Sequence, residues 1–421
     1  MGFTQLHIHS HVGSRLDAIG SPGDYAQRAM ELGHPALAVT DHGRISGIWE
    51  HQVQCLKYGV KPLLGVEAYV SPKLEVFDEK EKRQRTKTQH VILLVKDKVG
   101  YNNLLRLNYI SMSDTKHFYY SPRITLQELF DNKGGLVIGS GCMANPIARH
   151  LLSETNGYEG EYLAEKLYER YVLEFGDNFY TEIQLNELEE QKIVNEFMIR
   201  MANKHGVPIV ITGDVHYLEP GQDKLQTLAI AIRDKTTIDK LKFELESKHL
   251  YYHDVKDYLE FNKKFEFNYS ENDIISWCNN TMDVADKCNF LIPERNKIFL
   301  PKMSDNDEAL LIKKGKEGLM NRVGATEWKE VPKEYQKQLS KELEIIIRKG
   351  FASYFLIVED ITQFSIKEKI YGRIGRGSVG GSLLAYALGI HNLDPIKRGL
   401  LFERFMSESR SPDLVINYFE E

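Results

Sequence analysis

Two residue pairs set the chemistry open to this chain. His7 and His9 stand two apart, as do Asp214 and His216. On an extended strand that spacing points both side chains of a pair to one face. Asp17, His42, Glu67, His90 and Cys142 add two carboxylates, two imidazoles and a thiol. Imidazole, carboxylate and thiolate together suit Zn, Mn or Fe better than Mg alone. The set is too large for one ion and fits two or three ions that share bridging groups. Such a cluster lowers the pKa of bound water and neutralises an attacked phosphate, so phosphoester hydrolysis is the reaction it suits. A lone His-x-His is more often structural, and a lone cysteine is more often a small buried hydrophobe. What sets these residues apart is their recurrence at the ends of successive apolar segments. His11, His34 and His51 fall outside that pattern. Asp41 reads either as a bystander or as a partner that orients a histidine.

The apolar segments that must position these groups lie at residues 5–9, 36–40, 62–66, 91–95, 135–139, 180–184 and 208–212. Most are rich in Val, Ile and Leu, as strands buried on both faces should be. Between them lie helical patterns at 45–58, 163–174 and 187–204. Another starts at Ser21-Pro22, an N-cap followed by Pro at the first helical position, and closes at Gly33. The alternation predicts an α/β fold with a parallel sheet closed into a barrel. In such barrels functional groups gather at the C-terminal ends of the strands. Most of the set sits there, whereas His90 opens its strand and is the exception. Beyond about residue 262 helical patterns dominate, at 273–287, 307–323 and 333–349, while 290–301 is turn-rich and extended. This change of texture predicts two domains, residues 1–275 and 276–421. No Gly/Ser linker and no internal repeat separates them.

With 421 residues, 42% of them hydrophobic, the chain can bury a sizeable core. No apolar run approaches the roughly 20 residues that span a bilayer, and the first residues carry no signal-peptide pattern. Four cysteines without C-x-x-C spacing fit a reducing cytoplasm, the expected location. A net charge of -6 argues against non-specific nucleic-acid binding by the surface as a whole, while leaving local basic patches open. The run at 80–87 is one such patch and reads as a solvated loop.

A second motif, Gly375-Arg376-Gly377-Ser378, precedes a small-residue helix expected at 382–388. Backbone N–H groups at a helix start make an anion site, and Arg376 could pair with a phosphate bidentately. A tight turn with close helix packing explains the same residues equally well.

The segments Leu6-His7-Ile8-His9-Ser10, Val39-Thr40-Asp41-His42-Gly43, Gly65-Val66-Glu67, Ser140-Gly141-Cys142 and Gly213-Asp214-Val215-His216-Tyr217 closely resemble the PHP (polymerase and histidinol phosphatase) domain of bacterial replicative DNA polymerase III alpha subunits. The run from Gly350 to Val358, the Gly-rich run at 375–383 and Gly399-Leu400-Leu401-Phe402-Glu403-Arg404-Phe405 are similar to that family's palm. The resemblance covers nearly the whole chain, with its motifs in order. It implies a PHP-type distorted (β/α)7 barrel followed by a truncated, mostly helical α+β palm segment. It implies two or three divalent ions, Zn or Mn, in the first part, and Mg for a complete palm. It implies primer–template DNA, a nucleoside triphosphate and replisome subunits as partners, with Arg376, Gly377 and Ser378 holding the triphosphate.

The family's palm also carries a Pro-Asp-x-Asp-x-Asp run whose second and third aspartates hold metal. Here Asp413 is retained, while Val415 and Asn417 stand at the metal-binding positions. The thumb, the fingers and the rest of the palm would lie beyond residue 421. The expectation is a chain that does not polymerise by itself and whose live chemistry is 3′–5′ exonuclease-like hydrolysis. The alternative is a catalytically silent module that supports a split polymerase. A small-molecule phosphatase would have no use for residues 273–413.

Overall fold

Seven strand segments close on one another in the first part of the chain. The computed structural model describes residues 2–72, 74, 76–77, 83–84, 88–119, 121–153, 158–241, 247–293, 300–370 and 377–407. The strands are β1 (Ala36–Val39), β2 (Lys61–Val70), the hairpin pair β3 (Val76–Phe77) and β4 (Arg83–Gln84), β5 (Gln89–Val95), and the hairpin pair β6 (Phe118–Tyr119) and β7 (Ser121–Pro122). They continue with β8 (Leu136–Gly139), β9 (Phe179–Ile183) and β10 (Ile209–Ile211). Six of them form one sheet in the order β1-β2-β5-β8-β9-β10. The segment at residues 5–9 makes only isolated bridges, yet it joins both edges. Ala38 N donates to Gln5 O (3.0 Å) and Thr40 N to Ile8 O (2.8 Å). On the other side His9 N donates to Val215 O (2.8 Å) and Val215 N to His7 O (3.0 Å). The segment thus bridges β1 on one side and the residues just after β10 on the other.

The sheet is not all parallel, which corrects the sequence expectation. β1–β2, β8–β9 and β9–β10 pair in parallel, but β5 runs antiparallel to both β2 and β8. Reversal of β5 resolves the exception of His90. The start of an antiparallel strand lies at the same barrel mouth as the ends of the others, so His90 faces Tyr69 in register and stands near Glu67.

One face of each strand fills the barrel. A single apolar cluster takes Ala36 and Ala38, Leu63, Ile92 and Leu94, Val137, Tyr180 and Val210, together with Leu6. Val284, Ala285 and Cys288, from the end of the helix Glu271–Lys287, join the same cluster. Two or four residues further towards the mouth on those same faces stand Glu67, His90 and Glu182, and Asp214 follows the end of β10. The polar groups are thus the top layer of the barrel interior, above an apolar floor.

The surrounding helices follow the sequence signals. Ser21 caps Pro22–Leu32 by accepting from Asp24 N, and Gly33 ends it in the left-handed region at φ 73°. Ile48–Lys57, Tyr158–Phe175 and Glu189–His205 match the expected helices within a few residues at most ends. The chain divides after Ile292, into the units Met1–Ile292 and Pro293–Glu421, rather than at 275/276. The helix Glu271–Lys287 packs on the barrel: Asn280 Nδ2 donates to Ile209 O (2.8 Å), and Lys61 Nζ donates to Ala285 O (2.6 Å). The following residues are tied back as well, through paired bonds between Gln52 and the backbone of Ile292.

The second unit is mostly helical, with no strand among its described residues. The helices Asp307–Val323, Lys333–Arg348, Ala352–Lys367 and Leu383–Ala387 bury Leu311, Leu319, Leu339, Ile346, Phe355 and Leu384. Gly318 permits this packing: a Cβ there would lie 2.2 Å from Ala387 O.

Candidate metal centre

All nine metal-type residues singled out in the sequence come together at the barrel mouth. His7 and His9 come from the closing segment, and Asp17 from the loop after it. His42 follows β1, Glu67 lies within β2, His90 within β5, and Cys142 follows β8. Asp214 and His216 follow β10. Three groups each place their ligand atoms within 4.8 Å of one another: His9, His42 and His216; His7, His9 and Asp214; and Glu67, His90 and Cys142.

Glu67 is the hub. Its Oε2 lies 2.5 Å from His42 Nδ1, and its Oε1 lies 2.9 Å from His90 Nδ1, 3.4 Å from His7 Nε2 and 3.7 Å from Cys142 Sγ. Asp214 Oδ1 sits 2.9 Å from His9 Nε2 and 3.2 Å from His7 Nε2. His42 Nε2 is 3.0 Å from Asp17 Oδ2 and 3.3 Å from His216 Nε2. Asp214 adopts a left-handed backbone at φ 47°, which an aspartate tolerates better than most residues. Gly141 has φ 88°, and a Cβ on it would press within 2.9 Å of His90 O, so glycine lets Cys142 close on the start of β5.

The electrostatics are those of mutually compensating buried charges. Burial alone would raise the Glu67 carboxyl, but His90 and His42 beside it hold it well below its ordinary range. Asp214 is depressed against the same burial by His7 and His216. His9 is driven well down by burial and by the neighbouring His42 and His216 rings. The Cys142 thiol is pushed well up by burial and by Glu67 and Asp214.

One atom tests whether a cation fits. His7 Nδ1 is 2.6 Å from Glu182 Oε1 and donates there, so in the neutral ring Nε2 carries the lone pair. His7 Nε2 is fully buried and has no hydrogen-bond donor to meet it. It faces the acceptor oxygens of Glu67 and Asp214 instead. Against the burial of His7, the three carboxylates around it raise its pKa well above the ordinary value, so Nε2 holds a positive charge against Glu67 and Asp214; a divalent ion that displaces that proton fits the same place.

Sequence reasoning missed the groups that aim the set. Glu182 on β9 accepts from His7, from Thr212 Oγ1 at 2.6 Å and from Gln184 Nε2 at 3.3 Å. Its signal was a carboxylate inside an apolar strand. Arg233 Nη1 donates to Asp17 Oδ1 at 3.0 Å. Tyr69 stacks on His90 with centroids 4.6 Å apart. Asp41 touches no metal-type histidine directly. It accepts from Ser10 N, Ser10 Oγ and Ser14 Oγ, and Ser14 Oγ in turn accepts from His42 N. Asp41 therefore ties the two loops together rather than orienting a ring. Of the bystanders, His34 bonds Tyr252 and Asp254, His51 donates to Leu37 O, and His11 reaches only Gly20 O among the described residues.

The second motif is placed in part. Gly377 and Ser378 open the short helix Gly377–Gly381 and are exposed; Arg376, Asp413, Val415 and Asn417 lie outside the described residues, as does most of the basic run at 80–87. The N–H groups starting the helix Leu383–Ala387 do not await an anion. Glu342 accepts from Leu383 N (2.9 Å), Leu384 N (3.0 Å) and Ser382 Oγ (2.9 Å). No described helix is long and apolar enough to cross a membrane.

Comparison with known proteins agrees with the resemblance read from the sequence. Residues 5–186 match the PHP domain, and residues 309–421 match the bacterial DNA polymerase III alpha NTPase domain. The DNA polymerase III subunit alpha of Aquifex aeolicus is 33% identical over 438 residues, covering 100% of this chain and 36% of its own length. That of Helicobacter pylori is 33% identical over 437 residues, covering 98% and 35%. Among solved structures, an amidohydrolase from Chromobacterium violaceum overlaps 52% of this chain and 88% of its own, at 16% identity and a TM-score of 0.34. Spanning about a third of the length of the curated relatives it matches, the chain belongs to the bacterial DNA polymerase III alpha family.

Proposed function

We propose that the unit Met1–Ile292 is a metal-dependent phosphodiesterase, acting as a 3′–5′ exonuclease on DNA within a replication protein of the bacterial cytoplasm. The observation that carries this reading is the buried, donor-less His7 Nε2 facing Glu67 and Asp214. His7, His9, Asp17, His42, Glu67, His90, Cys142, Asp214 and His216 would hold two or three divalent ions, with Zn or Mn favoured by the thiol and imidazoles. Those ions would supply a water of lowered pKa and charge neutralisation at phosphorus. The chain's own part is positional. Glu182 fixes the tautomer of His7, Glu67 spans three of the histidines, and Ser14 and Asp41 hold the loops of His9 and His42.

Binding of a nucleoside triphosphate by Arg376, Gly377 and Ser378, with Mg in a complete palm, belongs to the same proposal. So do primer–template DNA and replisome subunits as partners. Val415 and Asn417 at the palm aspartate positions argue that this chain does not extend a primer alone. The test is a 5′-labelled primer–template incubated with the purified chain and Mn²⁺ or Zn²⁺, with and without nucleotides. Expected is shortening from the 3′ end that chelation or His9→Ala abolishes. An intact primer with a full complement of bound metal would sink the exonuclease reading and favour the silent supporting module. Primer extension would overturn the reading of Val415 and Asn417.

A further inference from the structure

The helix Asp223–Arg233 is fastened to the loop that carries Asp17, because Gln226 Nε2 donates to Asp17 O at 2.9 Å. Its last residue turns back onto the same aspartate. Arg233 Nη1 donates to Asp17 Oδ1 at 3.0 Å, while Asp17 Oδ2 sits 3.0 Å from His42 Nε2. A single carboxylate thus separates a guanidinium from the histidine cluster. That guanidinium lies on the solvent side of the site. Arg233 keeps 34% of its side chain exposed and Asp17 19%, whereas His7, His9 and Glu67 keep none. Leu16, next to Asp17, is held at φ 57°, a conformation leucine adopts only where the surroundings fix it. The loop is therefore built to present Asp17 to both partners.

Among the described residues the guanidinium's hydrogen bonds go to Asp17 and, through Nε at 3.0 Å, to Asp234. A guanidinium has five N–H donors in a planar fork. The Nη2 pair and one Nη1 hydrogen remain to meet an anion; that fork matches carboxylate and phosphate alike, and phosphate is the one that the phosphodiesterase reading brings to this mouth. Asp234 is the competitor for the charge, but its side chain is 36% exposed and its pull is screened by water.

We propose that Arg233 binds a non-bridging oxygen of the substrate phosphate at the mouth of the site, with Asp17 steadying the guanidinium. The substrate class rests on the phosphodiesterase reading above; the residue rests on the Arg233–Asp17–His42 geometry. The test uses the full chain loaded with Mn²⁺ and titrated calorimetrically with inorganic phosphate. Bound Mn²⁺ and steady-state cleavage of a 5′-labelled oligonucleotide are measured alongside. Arg233→Gln is expected to keep its Mn²⁺, to bind phosphate about 10- to 100-fold more weakly and to raise KM by a similar factor, the size of one charged hydrogen bond. Arg233→Lys should recover part of the loss. Unchanged phosphate affinity with the metal in place overturns the proposal, as does a wild-type chain that holds Mn²⁺ but binds no phosphate. Loss of Mn²⁺ together with phosphate also overturns it, making Arg233 a positioning residue for Asp17. If the wild-type chain cleaves nothing, yet Arg233→Gln still loses phosphate, the phosphodiesterase reading falls and the assignment of Arg233 stands.

Discussion

His7 Nδ1 lies 2.6 Å from Glu182 Oε1, and both side chains are almost wholly shut off from solvent. The pair fixes the orientation of the imidazole, so that Nε2 points at Glu67 and Asp214 and is the atom a metal would take. A carboxylate behind a metal-binding histidine fixes the ring and raises its basicity. Glu182→Gln keeps the shape and removes the charge. It is expected to weaken Mn²⁺ or Zn²⁺ binding about 10- to 100-fold, read by competition with a chelator, while the far-ultraviolet circular dichroism stays that of the wild type. Undiminished affinity would mean that other contacts suffice to aim His7.

Cys142 gives the Glu67–His90 group a spectroscopic handle. Its thiol is pushed well up by burial and by the nearby Glu67 and Asp214 carboxylates, so without a cation it stays protonated near neutrality. A metal that takes its sulfur must displace that proton. The apparent metal affinity of this group is therefore expected to rise about tenfold per pH unit over the range in which the thiol remains protonated. Co²⁺ should produce a thiolate-to-metal charge-transfer band that Cys142→Ser lacks. A Co²⁺ spectrum identical in the two proteins would exclude Cys142 from the ligand set.

Much of this site was legible because its residue types are improbable where they stand. His, Asp, Glu and Cys at the ends of apolar segments have no packing reason to be there, and every one of the nine lies at the barrel mouth. Strand direction was not legible. The run Val91-Ile92-Leu93-Leu94-Val95 reads the same whichever way it enters a sheet, so the reversal of β5 and the placing of His90 had to come from the fold. Glu182 hid for a related reason: its role depends on β9 lying beside β10 and opposite the closing segment, contacts that span 175 residues of sequence. The boundary expected at 275/276 falls inside the helix Glu271–Lys287, because an amphipathic pattern shows that a face is buried, not against what.

His51 offers a pH test remote from the ligand set. Burial lowers its pKa from an ordinary 6.5 to about 4, although its Nε2 donates to Leu37 O at 2.9 Å. A histidine with a depressed folded pKa is held neutral, while the unfolded chain takes up a proton near 6.5. The stability it permits is complete above that value and is lost as pH falls from about 6.5 towards about 4, by at most on the order of 3 kcal/mol. His51→Asn can keep a donor near Leu37 O without titrating. The drop in urea midpoint between pH 7.5 and pH 5 should be smaller in the variant than in the wild type. An equal drop in both would show that His51 is not among the groups that set acid stability.

Glu342 makes the corresponding case in the second unit with the opposite sign. It accepts from Ser382 Oγ, Leu383 N, Leu384 N and Gln338 Nε2, closing the start of the helix Leu383–Ala387 from within. Burial nonetheless raises its carboxyl above the ordinary 4.5, against the pull of those donors. A raised carboxyl pKa means that the folded unit holds its proton more firmly than the unfolded chain does. Stability therefore falls as pH rises from about 4.5 through the folded value and is level beyond it. Glu342→Gln should abolish that slope in the denaturation midpoint of this unit. Glu342→Ala should cost on the order of 3 kcal/mol, by orphaning the Leu383 and Leu384 N–H groups. The same geometry makes a binding prediction. With its N–H groups already satisfied, this helix start is closed to a triphosphate, so Glu342→Gln should leave nucleotide affinity within about twofold of wild type. A large gain in affinity in that variant would show that Glu342 had been holding the anion's place.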